Sequence, residues 1–452
     1  MILDKIKKHY SSSVNLALLF SGKLSGIAIN LIFIPFYSRS LGEYGFGIAA
    51  TILSLQAMLI MLDLGFSTYL GRQAAVSQSE KNPILNDLMA AESFLLGFYL
   101  LAAFLAFLAF ALGAINKHSL VIFFSIILFL LLVLQNIYYV VICARKKYVH
   151  GSVILSVGNL FRAAVSFCVL KWLSPEIDYF IMAQVLTAFF HMVISRYYAF
   201  KFIGEKKAFP VLNLSIKNGA VLIKKTYSLA IFSLAGALVT QLDKPVITYF
   251  INAKAVAAYF LAMTICMVPI GILAGPVAQY FQPKIISLVG RDSSEELYRV
   301  SSAFLYVLIV IVFFPCAVLW VFRDGLIKLW LGDVSYHENI SLYVKVMLPS
   351  LAVGALGFFP YSLLLAAKDF RFQANLSVFL TTITIPCVIF SAFKRDVLLI
   401  CVVYSFYHVS STMLSWWRAC LVEHISHVAQ KKILFIIFPI LIVLLNIILN
   451  II

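Results

Sequence analysis

The chain has 452 residues, of which 63% are hydrophobic and 12% charged; a soluble domain of this size carries about twice that share of charge, so the composition excludes one and predicts a polytopic membrane protein. Its formal net charge of +16 sits mainly in the segments between apolar runs, where it reports membrane topology, and nucleic acid need not be invoked. The seven cysteines lie in or beside apolar runs, without the close pairing of a zinc site or disulfide framework.

Apolar stretches of about twenty residues mark membrane spans. In chain order they fall near 13–37, 44–65, 88–114, 119–143, 151–172, 178–202, 226–250, 255–281, 301–322, 340–366, 372–393 and 397–418, with a further one at 433–452. The first run is interrupted by Lys23 and continues to about Pro35 without a small-residue cleavage site, so the N-terminus is expected to be retained.

Lysine and arginine set the orientation. With the N-terminus cytoplasmic, inner segments and inner span ends hold 23 of them and outer segments 8, the asymmetry expected of a cytoplasmic membrane protein. Four more, Lys23, Arg162, Lys244 and Lys345, lie deeper within spans. The outer loops are short, the longest running from about Arg323 to Asn339. No loop carries a phosphate-cradling glycine motif, a metal-ligand cluster or a nucleophile constellation. The expectation is a protein that is not an enzyme, with no catalytic residue and no metal, and not an ATP-driven pump.

The connection at 203–225 divides twelve spans into six and six. An even number lets both halves enter the membrane in the same direction, which implies parallel repeats about an axis along the membrane normal. AFFHMVIS (188–195) and SFYHVSST (405–412) agree with this, placing His191 and His408 after paired aromatics in the sixth and twelfth spans. Within the connection Leu212, Ile216, Ala220 and Ile223 recur at helical spacing, as in an interfacial amphipathic helix. The expected organisation is an N-terminal six-helix lobe at 1–202, a cytoplasmic amphipathic linker at 203–225, a C-terminal six-helix lobe at 226–419 and an additional C-terminal helix within 420–452.

SLGEYGFG (40–47), LDLGFSTYLGRQAA (62–75), LDKPVITYF (242–250), the tyrosine-containing start of the eighth span and LIKLWLGD (326–333) follow one another along the chain. In these stretches and their order it resembles the O-antigen and polysaccharide flippases of the multidrug/oligosaccharidyl-lipid/polysaccharide exporter superfamily, over nearly its whole length. The resemblance implies an all-α polytopic membrane protein of two six-helix bundles related by a pseudo-two-fold axis along the membrane normal, as in multidrug exporters, here with a thirteenth helix. It implies alternating access and transport of an undecaprenyl-pyrophosphate-linked oligosaccharide, an O-antigen or related repeat unit, across the bacterial inner membrane. Membrane lipids, a polysaccharide polymerase and a chain-length regulator are the implied partners. No cofactor is expected beyond a coupling H+ or Na+. A lipid II flippase and a multidrug/cation antiporter of the same superfamily are the alternatives, and the predominantly basic embedded charge speaks against cationic drugs.

A pyrophosphate must cross some 30 Å of hydrocarbon, and cationic side chains in a wet cavity lower that barrier. Lys23 and Arg162 are each about ten residues into a span, hence about 15 Å deep, and with Lys244 and Lys345 form the candidate substrate-binding set. The plainer readings are Lys23 and Arg162 as structural partners of helix-end carbonyls or polar side chains such as Asn159, and Lys345 snorkelling to the outer face. Gate or coupling candidates are Asp243, Arg39, Asp63, His191 and His408. Asp63 is expected to pin the end of the second span, for instance through Arg72, and the histidines to hydrogen-bond between helices or shuttle protons. Adjacent helical residues point about 100° apart, so Asp243 and Lys244 are expected to serve different partners. Lys244 would face the cavity. Asp243 would meet Arg39 as an outer gate or anchor locally within its lobe, beside a backbone loosened by Pro245.

Overall fold

The computed structural model describes residues 2–61, 63–76, 82–113, 119–204, 219, 221–224, 226, 237–238, 240–269, 273–289 and 294–451; side chains are described from residue 25 onward, with scattered exceptions. Among the described residues every element is a helix, and the chain is an all-α, multi-pass membrane protein. The first unit holds α1 (Ile2–Met61), α2 (Phe66–Val76), α3 (Asn82–Ala111), α4 (Ser119–Ala144), α5 (Tyr148–Trp172) and α6 (Ile177–Ile203). The second holds α7 (Asp243–Phe250), α8 (Ala253–Pro269), α9 (Gly275–Val289), α10 (Ser294–Leu308), a π-helical turn (Ile309–Phe313), α11 (Phe314–Val321), α12 (Arg323–Leu331), α13 (His337–Leu356), α14 (Phe358–Ala366), α15 (Phe370–Phe393), α16 (Val397–Leu421), α17 (Glu423–Lys431) and α18 (Leu434–Ile451).

Among the described residues nine helical stretches are long and apolar enough to cross a membrane, or ten if the bent pair α17–α18 counts as one span. The thirteen expected runs differ from this count for local reasons. At 1.5 Å per residue the 60 residues of α1 would extend about 90 Å, three times the hydrocarbon core, so α1 is two crossings. They meet at Gly42, whose φ of 67° and ψ of 176° suit only a residue without Cβ; Gly42 lies between the first two expected spans. Much of the seventh run lies outside the described residues, and the eighth is divided between α8 and α9. The linker expected at 203–225 is outside the described residues except for 203, 204, 219 and 221–224.

The two compact units divide between Leu242 and Asp243. In the first, α1 packs on α4 and α5, and α6 on α4 and α5. In the second, α7 packs on α15, α8 on α13, and α16 on α13 and α15.

Buried polar groups tie these helices together. In the first unit Arg196 of α6 donates from Nε and Nη2 to Glu92 of α3 at 3.1 and 3.0 Å, and Tyr138 of α4 donates to the same carboxylate at 2.6 Å. Three helices thus share one buried charge pair.

Two prolines leave carbonyls without their helical donors, and neighbouring side chains take them up. Pro245 frees the carbonyl of Gln241, to which Ser54 Oγ donates at 3.0 Å while also reaching Gln241 Oε1 at 2.8 Å. Pro349, inside α13, frees the carbonyl of Lys345. Trp320 Nε1 of α11 and Asn446 Nδ2 of α18 both donate to it, at 3.1 and 3.0 Å. The C-terminal helix is held to α13 in this way, beside an apolar cavity of about 420 Å³ lined by residues of α11, α13 and α18. It enters at a 59° bend from α17, where Lys432 is buried among the rings of Tyr298, Tyr306 and Phe435.

Candidate functional site

In the first unit a polar seam runs where α5 packs on α1 and α6. Small residues at helical spacing allow it: Ser25 Oγ and Ser156 Oγ lie 2.7 Å apart, and a Cβ on Gly26 would come within 2.9 Å of Asn159 Nδ2. One turn along α5, Arg162 Nη2 donates to Asn159 Oδ1 at 3.2 Å. Arg162 is half-buried, and among the described residues no carboxylate pairs with it. Tyr37 and His191 lie within its electrostatic reach. Tyr37 is fixed by donating to the carbonyl of Ala163 at 3.1 Å. His191 is buried against Gly158, where a Cβ would overlap its ring, and its Nε2 lies 3.3 Å from Gln135 Nε2 of α4. The histidine is thus an interhelical contact between α4, α5 and α6.

A guanidinium in a span whose hydrogen-bond partner among the described residues is a neutral amide is costly. An anion arriving at the seam would offset that cost and accept the unused donors, since arginine presents five N–H groups in a fork suited to phosphate oxygens. The structure therefore brings together Arg162, Asn159 and His191 from the residues singled out in the sequence. Lys23 lies outside the described side chains. Arg39 is exposed on α1.

Asp63 sits at the turn into α2, where its Oδ1 accepts from the N–H of Gly65 at 3.0 Å and its Oδ2 from that of Ser67 at 2.8 Å. Among the described residues its partners are these backbone donors at the start of α2, and not the expected Arg72.

The second unit corrects the reading of LDKP. Asp243 and Lys244 are paired: Lys244 Nζ lies 2.8 Å from Asp243 Oδ1, and the Lys244 N–H donates to the same oxygen at 3.0 Å. Cα–Cβ directions 100° apart do not prevent this, because four methylenes let the ammonium curl back. Tyr259 of α8 donates to Asp243 Oδ2 at 2.7 Å, so both carboxylate oxygens are engaged within their own unit, the arrangement of a local anchor. Lys244 is correspondingly buried, at 5% exposure. Lys345 contributes its backbone carbonyl to the Pro349 break, and its side chain is half-buried. His408 packs against Gly354 of α13, where a Cβ would come within 2.9 Å of its Nδ1.

The sequence reading missed the partnership of Glu92, Tyr138 and Arg196. Its signal was present in a carboxylate and an arginine both within apolar runs, but the pair is separated by 104 residues and nothing local connects them. Among the described residues no three His, Cys, Asp or Glu side chains converge as a metal site would require.

The all-helical, multi-pass arrangement is one that solved membrane proteins share. The lipid II flippase MurJ in an inward closed conformation aligns over 97% of both chains with a TM-score of 0.67 and 12% identity. A MATE transporter in complex with MaD3S aligns over 92% of this chain and 96% of its own, with a TM-score of 0.59 and 11% identity. A MOP superfamily transporter from Pyrococcus furiosus, described as having a binding pocket of reverse polarity, aligns over 89% of this chain and 93% of its own, with a TM-score of 0.55 and 12% identity. No curated protein sequence matches the chain. The profile of the family described as polysaccharide biosynthesis protein matches residues 13–289, more than half of the chain, and the protein belongs to that family.

Proposed function

We propose that the protein is a flippase that carries an undecaprenyl-pyrophosphate-linked oligosaccharide, an O-antigen or related polysaccharide repeat unit, from the cytoplasmic to the periplasmic leaflet by alternating access. It acts in the bacterial inner membrane with its N-terminus cytoplasmic, catalyses no covalent step, and hands its product to a polysaccharide polymerase and chain-length regulator. The observation that carries this reading is Arg162. A half-buried guanidinium in a span, with a neutral amide as its partner, suits a substrate whose phosphates enter the membrane interior and suits a cationic drug badly. The family match supports a polysaccharide precursor. The fold shared with a lipid II flippase favours lipid II as the second reading, since both substrates present the same pyrophosphate on an isoprenoid chain.

Complementation separates the two. Expression should restore surface polysaccharide in a strain lacking O-antigen export and should not rescue one depleted of lipid II export; the reverse pattern would transfer the assignment. In the complementing strain Arg162→Gln should abolish most export at unchanged abundance, with Arg162→Lys retaining part of it. Loss of the fork's charge-assisted hydrogen bonds, worth about 1.5–3 kcal/mol each, corresponds to a fall of roughly 10- to 100-fold per bond. Full export by Arg162→Gln at normal abundance would remove the site. For orientation, a single cysteine at Ser335 should react with an impermeant reagent in intact spheroplasts, and protection there would invert the topology.

A further inference from the structure

The cavity beside the C-terminal helix is a groove with a buried floor and an exposed rim. Cys316 of α11, Ala352 of α13 and Val443 of α18 lie in its floor, while Val321, Phe438 and Leu449 stand at its rim. Irregular backbone opens it. The π-helical turn at Ile309–Phe313 brings Phe313 to its edge, and Pro349 and Pro439, both inside helices, line its walls. Helices bend where π turns and prolines interrupt them, and between α11, α13 and α18 a space of about 420 Å³ is left. In a membrane-spanning chain a groove with such a rim is filled by hydrocarbon, because a wall without neighbours forfeits its dispersion contacts and water needs two to four polar partners. The donors of Trp320 and Asn446 in this wall are directed to the carbonyl of Lys345. Apart from these two side chains and the Cys316 thiol, the lining side chains are hydrocarbon.

Size and charge select the occupant. An apolar cavity of about 150 Å³ holds one benzene molecule; nearly three times that volume suits a chain of about 16–18 carbons, whereas an undecaprenyl chain has about three times as many. Along α18 the lining runs from Phe438 to Leu449, about 16 Å at helical rise, which is the depth of one leaflet of a hydrocarbon core about 30 Å thick. The groove thus has the dimensions of a single fatty acyl chain. On α13 it is lined by Leu348, Pro349, Ala352 and Val353, and Lys345 precedes these on the same helical face, one turn nearer the start of the helix at His337. Helical side chains lean toward the N-terminal end of their helix, so the lysine stem carries its ammonium from the end of the groove toward the membrane face. The side chain is half-buried, and no ion pair among the described residues includes it.

We propose that the groove is a phospholipid site, in which one acyl chain of a glycerophospholipid from the surrounding bilayer lies between α11, α13 and α18 and its phosphodiester is held by Lys345. One ammonium answers the single charge of a phosphodiester, where a pyrophosphate carries more. The acyl chain by itself gains little by leaving the bilayer, which is equally apolar; the charge-assisted hydrogen bond to Lys345 is what retains the lipid. Its chain then completes the packing of α18 on α11 and α13, beside the hydrogen bond from Asn446. This lipid is a resident component and not the transported cargo, so the inference goes beyond the flippase reading and does not depend on it. It also gives Lys345 a role other than the substrate contact expected from the sequence.

The test uses the full chain, purified in mild detergent and stripped of lipid, and phosphatidylglycerol carrying a photoreactive diazirine near the end of one acyl chain. On illumination the label should enter α11 and α18 saturably. Ala317 is an exposed member of the lining, so Ala317→Phe fills the groove from its open side and should abolish the saturable label. Lys345→Gln should raise the half-saturating concentration about tenfold, the scale of one charge-assisted hydrogen bond, and Lys345→Arg should restore it; labelling by a diacylglycerol with the same chains should not respond to Lys345→Gln. Label that spreads over the lipid-facing helices without saturating, or that is unchanged in Ala317→Phe or in Lys345→Gln, overturns the proposal. Displacement by undecaprenyl phosphate at lower concentration than by unlabelled phosphatidylglycerol overturns it too, and would assign the groove to the isoprenoid. Should Ala317→Phe fail to fold, thermal unfolding decides: phosphatidylglycerol should raise the melting temperature of the wild type and not that of Lys345→Gln, and an equal rise in both, or none in either, overturns the proposal. None of these readouts involves export, so their failure leaves the complementation test of the flippase reading untouched.

Discussion

The shared carbonyl of Lys345 permits a quantitative test of how the C-terminal helix is held. Trp320 Nε1 and Asn446 Nδ2 donate to one oxygen at 3.1 and 3.0 Å because Pro349, four residues on, has no N–H to offer. Removing either donor leaves the other. Trp320→Phe and Asn446→Leu should therefore each cost the modest amount typical of interhelical hydrogen bonds in membranes, about 0.6 kcal/mol and at most about 1.7, with an added packing loss for the smaller ring. Removing both leaves a carbonyl with no donor, at a penalty of about 1–3 kcal/mol, so the double variant should exceed the sum of the singles by about 1 kcal/mol. Pro349→Ala supplies the missing N–H at its helical position, so in that background the excess should vanish, while the packing loss, present in both backgrounds, cancels in the cycle. Equilibrium unfolding of the full chain in detergent, read by helical circular dichroism, measures all eight combinations. A coupling within about 0.3 kcal/mol of zero in the Pro349 background, or one that persists unchanged in Pro349→Ala, would refute the idea that the proline creates the demand the two side chains meet.

Two further substitutions probe the first unit. Glu92→Gln leaves Arg196 in a buried site, with side-chain exposures of 13% and 2% for arginine and glutamate, without its counter-charge, and should destabilise the protein by about 3 kcal/mol, seen as a lower melting temperature; Arg162→Gln, which removes a cation that lacks such a partner, should leave it unchanged or higher, and equal losses in both would show that the ion pair has no special structural weight. Gly158→Ala places a methyl group inside the His191 ring's position and should cost about 1–3 kcal/mol or more, relieved by His191→Ala in the same chain; an unaltered melting temperature in Gly158→Ala would mean that α5 and α6 are not packed at this point.

Much of the architecture was legible because hydropathy over twenty residues is a local quantity. The class and the helix runs from α3 to α6 and from α13 to α16 follow from partition into hydrocarbon. Arg162 could be singled out because a charge in the middle of an apolar run is expensive wherever it ends up.

What the tertiary structure alone decided was the partner of each costly group. Arg196 is answered by a glutamate on another helix, the carbonyl freed by Pro245 by a serine in α1, and the one freed by Pro349 by a tryptophan and an asparagine from either side of α13 in sequence. Sequence shows that such a group needs a partner, since water is missing from the bilayer interior, but helices pack through side-chain shape, and the residue that arrives is fixed by which turn faces which. The lysine beside Asp243 shows the limit from the other side. A helical wheel gives the direction of Cβ, while a flexible stem decides where the ammonium goes, and it goes to the nearest charge once the fold has shut out solvent.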